Sequence, residues 1–129
     1  SGDVTHVAKK LVKAMPRQSQ SCLIFGGETT VKVTGLGKGG RNQELVLYAL
    51  KEIQKRPQKI TIASLGTDGI DGNTDAAGAI MSNSESNLKG IQKSLKNNNS
   101  YSFLKKHNGL MFTGPTHTNL MDIGIMLRQ

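Results

Sequence analysis

The chain has 129 residues, enough for one domain with a single core, and no run of about 20 apolar residues that would cross a membrane. Its 17 lysines and arginines against 9 acids give a net charge of +8, which raises the question of nucleic acid. The lysines are spread over several helix-like segments, and with no Trp and few Tyr or Phe there is little to stack on bases, so the charge reads as a solvated surface and neither nucleic acid nor membrane is expected as a partner.

Asp3 is placed to cap a first helix, in which Val4, Val7, Ala8, Leu11, Val12 and Met15 recur at helical spacing until Pro16. The residues around that cap lack the basic-then-apolar layout of a signal peptide. Residues 1–20 are therefore expected to form a leading helix and connection, and residues 21–129 the main domain. Ser21 to Phe25 is a short apolar strand in which Cys22 is expected to be buried. A lone cysteine forms no internal disulfide, which suits a reducing, cytoplasmic setting. The Gly26-Gly27 turn leaves Glu28 at the strand's exit, a usual place for a functional side chain in an α/β sheet. Thr30-Val31-Lys32-Val33-Thr34 then alternates polar and apolar, as a half-exposed strand does.

Gly35-x-Gly37-x-x-Gly40 matches the dinucleotide fingerprint in its letters but not in its context. The strand before it is not apolar throughout, and no acid about 20 residues on can take a ribose hydroxyl. A P-loop fails as well, because Gly40-Arg41-Asn42 stands where Gly-Lys-Ser/Thr is required. What survives is an anion cradle. A loop poor in side chains lets backbone N–H groups crowd an anion, and the following helix adds its positive end. Arg41 adds a planar fork suited to carboxylate or phosphate oxygens. The plainer reading, glycines that only make turns, stands beside it. Asn42 is the expected N-cap of a helix that buries Leu45, Val46, Ala49, Leu50 and Ile53 and stops before Pro57.

Ile60 to Leu65 is β-branched and apolar, the best candidate for a central strand. It opens into a loop holding Asp68, Asp71 and Asp75, and carboxylates at that density need a cation, donors or water to relieve them. Asp71-x-Asn73-x-Asp75 copies the opening of a calcium loop, but Ala76 and Ser82 stand where the turn glycine and the bidentate Glu belong. Magnesium shared with substrate phosphates is compatible, with Asp68, Asp71 and Asp75 as its candidate ligands. The alternative is that these aspartates bond their own loop backbone. Ala76 to Met81 reads as a short helix or another strand, and Leu88, Ile91 and Leu95 as a third helix broken by Asn97-Asn98-Asn99. Ser100 is a candidate cap for a brief fourth helix closed by Asn108-Gly109. Leu110 to Thr113 is a strand, and the loop through Thr116, Thr118 and Asn119 suits hydrogen bonding to a small oxygenated ligand or a phosphate. His117 reads as a loop donor, since no Ser-His-Asp order and no zinc spacing appear. Ile123 to Leu127 closes the sheet. Strands alternating with helices give an α/β layered domain, a mixed β-sheet flanked by helices, with its three polar loops converging on one crevice.

Four stretches, in this order, carry a resemblance. They are Gly26-Gly27-Glu28-Thr29-Thr30, Gly39-Gly40-Arg41-Asn42-Gln43-Glu44, Gly66-Thr67-Asp68-Gly69-Ile70-Asp71-Gly72 with Thr74-Asp75-Ala76-Ala77-Gly78-Ala79, and Thr113-Gly114-x-Thr116-x-Thr118-Asn119. Together they resemble the MOFRL domain, the C-terminal domain of the class II glycerate 2-kinases, often labelled hydroxypyruvate reductase. The sequence departs from the usual pattern at Asn73, where relatives often have proline, and at His117, where glycine is common. The resemblance implies ATP-dependent phosphorylation of D-glycerate to 2-phosphoglycerate, with magnesium, in a cleft shared with an N-terminal nucleotide-binding domain of the same polypeptide. It implies Arg41 as the catalytic arginine, with Glu28, Gly39, Gly40, Asn42, Thr74, Thr116, Thr118 and Asn119 lining the substrate and phosphate side. The isolated chain would then be inactive, and a homodimer is compatible with the arrangement. A nicotinamide-dependent hydroxypyruvate reductase and a stand-alone anion-binding module are the competing readings.

Overall fold

The computed structural model describes residues 2–129. Helix α1 (Val4–Ala14) starts as its sequence predicts, with the Asp3 side chain accepting from the Thr5 N–H at 3.0 Å. Its buried stripe, Val4, Ala8 and Val12, packs against α2 (Arg41–Ile53), the most deeply buried helix of the fold. Leu47, Leu50 and Ile53 of α2 are fully buried against β4 (Ile60–Gly66) and β5 (Gly78–Ser82). Helices α3 (Ile91–Lys96) and α4 (Ser100–Lys106) contribute Ile91, Leu95, Phe103 and Leu104 to the same core.

The sheet has five strands in the order β2 (Ser21–Gly27), β7 (Asp122–Arg128), β4, β5 and β6 (Leu110–Met111). The α/β layered class holds, and each of the four ladders in this sheet is antiparallel. Parallel pairing occurs between β1 (Gly2–Asp3) and β3 (Thr29–Thr30), two residues each. The last strand in the chain is an inner strand of the sheet. Strand β7 lies between β2 and β4, so it pairs on both sides over its whole length. Register then assigns faces, because directly opposed residues point the same way. Leu23, Ile62, Ala79, Met81 and Met126 face the helices. Ile24, Ile80, Ile123 and Leu127 lie on the other face and are largely exposed.

Several local expectations change or narrow. Cys22 is exposed, because β2 is an edge strand and Cys22 points to the uncovered face. The strand expected over residues 30–34 stops at Thr30, and the chain from Val31 to Gly40 is an irregular strap. Of the two readings of residues 76–81, helix or strand, the strand holds, as β5 over Gly78–Ser82. Ser100 is the first residue of α4 rather than its cap, a position that Asn99 fills.

The pairing also decides where the polar loops go. Gly27 and Gly66 both pair with Asp122, and Gly78 pairs with Met111. The exits of β2, β4 and β6 and the entry of β7 therefore share one end of the sheet. All three polar loops meet there, as expected for strand exits of one sheet.

Candidate functional site

At that end the first turn of α2 faces two ways. Inward, the Asp71 carboxylate reaches from the β4–β5 loop and caps the helix. Oδ1 accepts from the Asn42 N–H at 3.0 Å and Oδ2 from the Gln43 N–H at 2.9 Å. The N-cap position belongs to Gly40, whose own side chain cannot cap, and Asn42 lies one residue inside the helix. The Asn42 side chain instead donates to Asp71 Oδ1 at 3.1 Å and accepts from Ser64 Oγ at 2.7 Å. Thr74 Oγ1 accepts from Gln43 Nε2 and donates to the Asp71 carbonyl. Asn42, Gln43, Ser64, Asp71 and Thr74 are all buried. Burial pushes the Asp71 carboxyl up, against the hydrogen bonds that pull it down. The anion held by this helix start is thus a carboxylate of the chain itself.

The strap before α2 is spent in a similar way. Thr34 and Gly35 donate to Asn98 Oδ1 at 2.7 and 2.9 Å, Gly37 to the Asn97 carbonyl at 2.9 Å, Lys38 to Asn99 Oδ1 at 3.2 Å and Gly39 to Asn73 Oδ1 at 3.1 Å. Side chains on Gly35, Gly37 or Gly39 would overlap residues 97–100, which explains the glycines by close approach. From Gly37 to Arg41, the N–H groups of Gly40 and Arg41 are those left without an acceptor among the described residues. Beneath the strap, Glu44 is buried and accepts from Asn98 Nδ2 at 2.7 Å, and burial pushes its carboxyl above the ordinary range. Glu44, Asn73 and Asn98 line a hollow of about 230 Å³ beside Gly39 and Gly40.

Outward, Arg41 sits at the rim. Its Nε and Nη2 donate to Asp122 Oδ2 and Oδ1 at 2.6 and 3.0 Å, and Nη1 lies 2.9 Å from Glu28 Oε1. The Asp122 bond is the main cause that raises the guanidinium above its ordinary value. The loop after β6 is zipped to the loop after β4. Thr116 donates its N–H to the Asp68 carbonyl at 3.1 Å and its hydroxyl to the Thr67 carbonyl, and Leu120 donates to Thr67 Oγ1 at 2.7 Å. Thr116, Thr118 and Asn119 are exposed.

The candidate residues therefore divide. Arg41 and Glu28 are paired at the rim, and the Thr116–Asn119 loop is fastened to Thr67 and Asp68 at the same end of the sheet, whereas Asn42, Asp71 and Thr74 are enclosed behind it. The three aspartates do not fit a protein-built magnesium cage. Among the described residues no three His, Cys, Asp or Glu come together for an ion. Asp71 is occupied by α2, Asp68 Oδ1 accepts from Ile70, and Asp75 accepts from Tyr101 at 2.8 Å. Sequence reasoning missed Asp122, whose signal was an acid directly ahead of the last apolar strand. It also missed the ligating role of Asn97–Asn99, which reads equally well as a helix breaker.

Fold and site together define an antiparallel α/β domain that carries one braced arginine at the open end of its sheet. The chain belongs to the MOFRL family, which it matches over residues 21–122. It is 48% identical over 120 residues to a D-glycerate 2-kinase of Thermotoga maritima, covering 89% of this chain and 28% of that protein. A glycerate 2-kinase of Pyrococcus horikoshii is 46% identical over 121 residues, covering 89% and 27%. The crystal structure of a glycerate kinase from Thermotoga maritima superposes with a TM-score of 0.90 at 40% identity, over 99% of this chain and 34% of that one. The chain thus spans about a third or less of the relatives it matches. No helix among the described residues is long and apolar enough to cross a membrane.

Proposed function

We propose that this domain forms one wall of the active-site cleft of an ATP-dependent glycerate 2-kinase, which transfers a phosphoryl group to D-glycerate and yields 2-phosphoglycerate. The N-terminal nucleotide-binding domain of the same polypeptide forms the other wall. The observation that carries the reading is Arg41, held at the rim with donors to spare in a domain whose relatives are named glycerate kinases. Phosphoryl transfer asks the protein for positioning and for positive charge where the equatorial oxygens gain charge. A guanidinium with a fixed plane meets that need, and in this reading the exposed hydroxyl of Thr118 and the amide of Asn119, on the loop that Thr116 fastens to Thr67, would orient a small hydroxy acid. Magnesium would come to this wall with the substrate phosphates, an arrangement that asks for only one or two protein carboxylates, and no step is assigned to it here.

The reductase reading loses its one support. The glycine stretch follows an irregular segment instead of a buried strand, and most of its N–H groups are bonded within the domain. The test uses the full-length parent titrated with ATP and magnesium and, separately, with NADH or NADPH. ADP should form only with D-glycerate, and hydroxypyruvate should oxidise no nicotinamide. The 129-residue chain alone should give no turnover, since half a cleft cannot hold donor and acceptor in line. Nicotinamide oxidation by the parent, or turnover by the chain alone, would overturn this reading.

A further inference from the structure

Arginine has five N–H donors on a planar fork, and two acids take unequal shares of those on Arg41. Asp122 takes Nε and Nη2 together, the bidentate arrangement in which both distance and plane are fixed. Its side chain is 9% exposed. Its backbone is the first residue of β7, paired with Gly27 on one side and Gly66 on the other. It cannot move without the sheet. Glu28 has none of these constraints. It meets Nη1 alone, its side chain is 58% exposed, and it lies in the gap between β2 and β3. An exposed pair of that kind is screened and readily exchanged.

We propose that Asp122 is the positioning residue that aims Arg41, and that an anionic oxygen of the bound ligand displaces Glu28 from Nη1. The inference rests on Arg41 as the anion-binding group of the proposed cleft. The ligand oxygen is a carboxylate or phosphoryl oxygen, supplied by the hydroxy acid or by the nucleotide. Two acids on one arginine then act in opposite directions. Removing the charge of Asp122 frees the guanidinium to rotate away, while removing the charge of Glu28 clears a competitor. The sequence places Glu28 among the ligand contacts, but a carboxylate already on Nη1 holds the ligand's place rather than adding to its grip.

Two measurements separate these roles. In the full-length parent, Asp122→Asn puts an amide N–H against a guanidinium N–H and should lower kcat by roughly 30-fold or more, with KM changed by less than about 3-fold. Glu28→Gln should lower one KM by about 3-fold or more at low ionic strength. Varying D-glycerate and ATP separately shows which of them supplies the oxygen. In the 129-residue chain, the Arg41 Nε–H should exchange slowly with solvent in the wild type and in Glu28→Gln, and quickly in Asp122→Asn. Should the amide variant not fold, Asp122→Glu keeps the charge and shifts the fork by one methylene, and it should lower kcat with Nε–H still protected. Unchanged protection in Asp122→Asn, equal loss in Glu28→Gln, or a higher KM for both substrates in Glu28→Gln would overturn the proposal. The exchange result stands without any turnover, so an inactive parent would remove the kinase reading and leave the Asp122 role to be decided by exchange.

Discussion

Arg41 and Asn42 are neighbours in the first turn of α2, yet they belong to two regions built on opposite terms. Behind Asn42 both carboxylate oxygens of Asp71 have donors, Ser64 and Thr74 bond the side-chain amides of Asn42 and Gln43, and all five residues are buried, with Gln43 Oε1 the one side-chain oxygen of the group left without a partner among the described residues. Around Arg41 the partners are fewer, one of them is mostly exposed, and the facing loop is open to solvent. The contrast shows that one motif can serve two ends. Gly-Gly-Arg-Asn-Gln-Glu fastens the helix through its inward residues and offers a cation through its outward one. Substitutions behind the turn should therefore act on stability, and substitutions in front of it on rate or affinity.

Asp71→Ala is expected to do the most damage. It strips the cap from two backbone N–H groups and leaves the Asn42 amide facing a void, which costs roughly 3 kcal/mol or more. Chemical denaturation of the isolated chain measures it. A loss under about 1 kcal/mol would mean that the caps are replaced by water, and the enclosed region would not be closed.

Arg41→Lys should invert the pattern. The charge stays and the fork goes, so kcat of the full-length parent should fall by about two to three decades with a smaller change in KM. Stability should hold to within about 1 kcal/mol, because the arginine is partly exposed. Unchanged kcat would make Arg41 a brace for Asp122 and nothing more.

That division was only half legible in the sequence. The α/β alternation, the first helix with its Asp3 cap, the central strand at Ile60 and the meeting of three loops follow from periodicity and strand exits, all of them local signals. The role of Asp71 was not local. Its partners lie 29 and 28 residues away, and an aspartate in a polar loop looks the same whether it caps a helix, binds a metal or turns its own backbone. The glycines posed a similar ambiguity. Close approach to an anion and close approach to Asn97–Ser100 both ask for a missing Cβ, and only the packing distinguishes them. Asp122 escaped notice because a boundary residue between loop and strand has no periodicity to mark it.

A smaller effect tests the buried acid beneath the strap. Burial raises the folded-state carboxyl of Glu44 above its unfolded value, so the stability linked to it is fully present below the unfolded range. It is lost as pH rises through the raised folded value. Glu44→Gln keeps an acceptor for Asn98 and removes that dependence. The variant should therefore gain on the wild type as pH rises from about 4 to 8. Melting temperatures at the two pH values measure this, and a variant that loses ground on going to pH 8 would show that the charged form is the one the strap needs.

The smallest effect on stability belongs to the open rim. Thr118 is exposed, and it joins the loop's bonding through its carbonyl, which accepts from Thr116 Oγ1 at 3.4 Å. Removing its hydroxyl takes nothing from the fold, so Thr118→Ala should leave stability within about 0.5 kcal/mol of the wild type. If the rim binds substrate, the same change should raise KM for D-glycerate in the full-length parent by several-fold, roughly what one neutral hydrogen bond contributes. The two readings are independent. A stability loss above about 1 kcal/mol would place Thr118 with Asp71 as part of the closed network, and the contrast between the two sides of α2 would fail at this loop. Unchanged stability together with unchanged KM would leave that contrast standing while removing Thr118 from the substrate wall, and the hydroxy acid would then be held by Arg41 and its nearer neighbours alone.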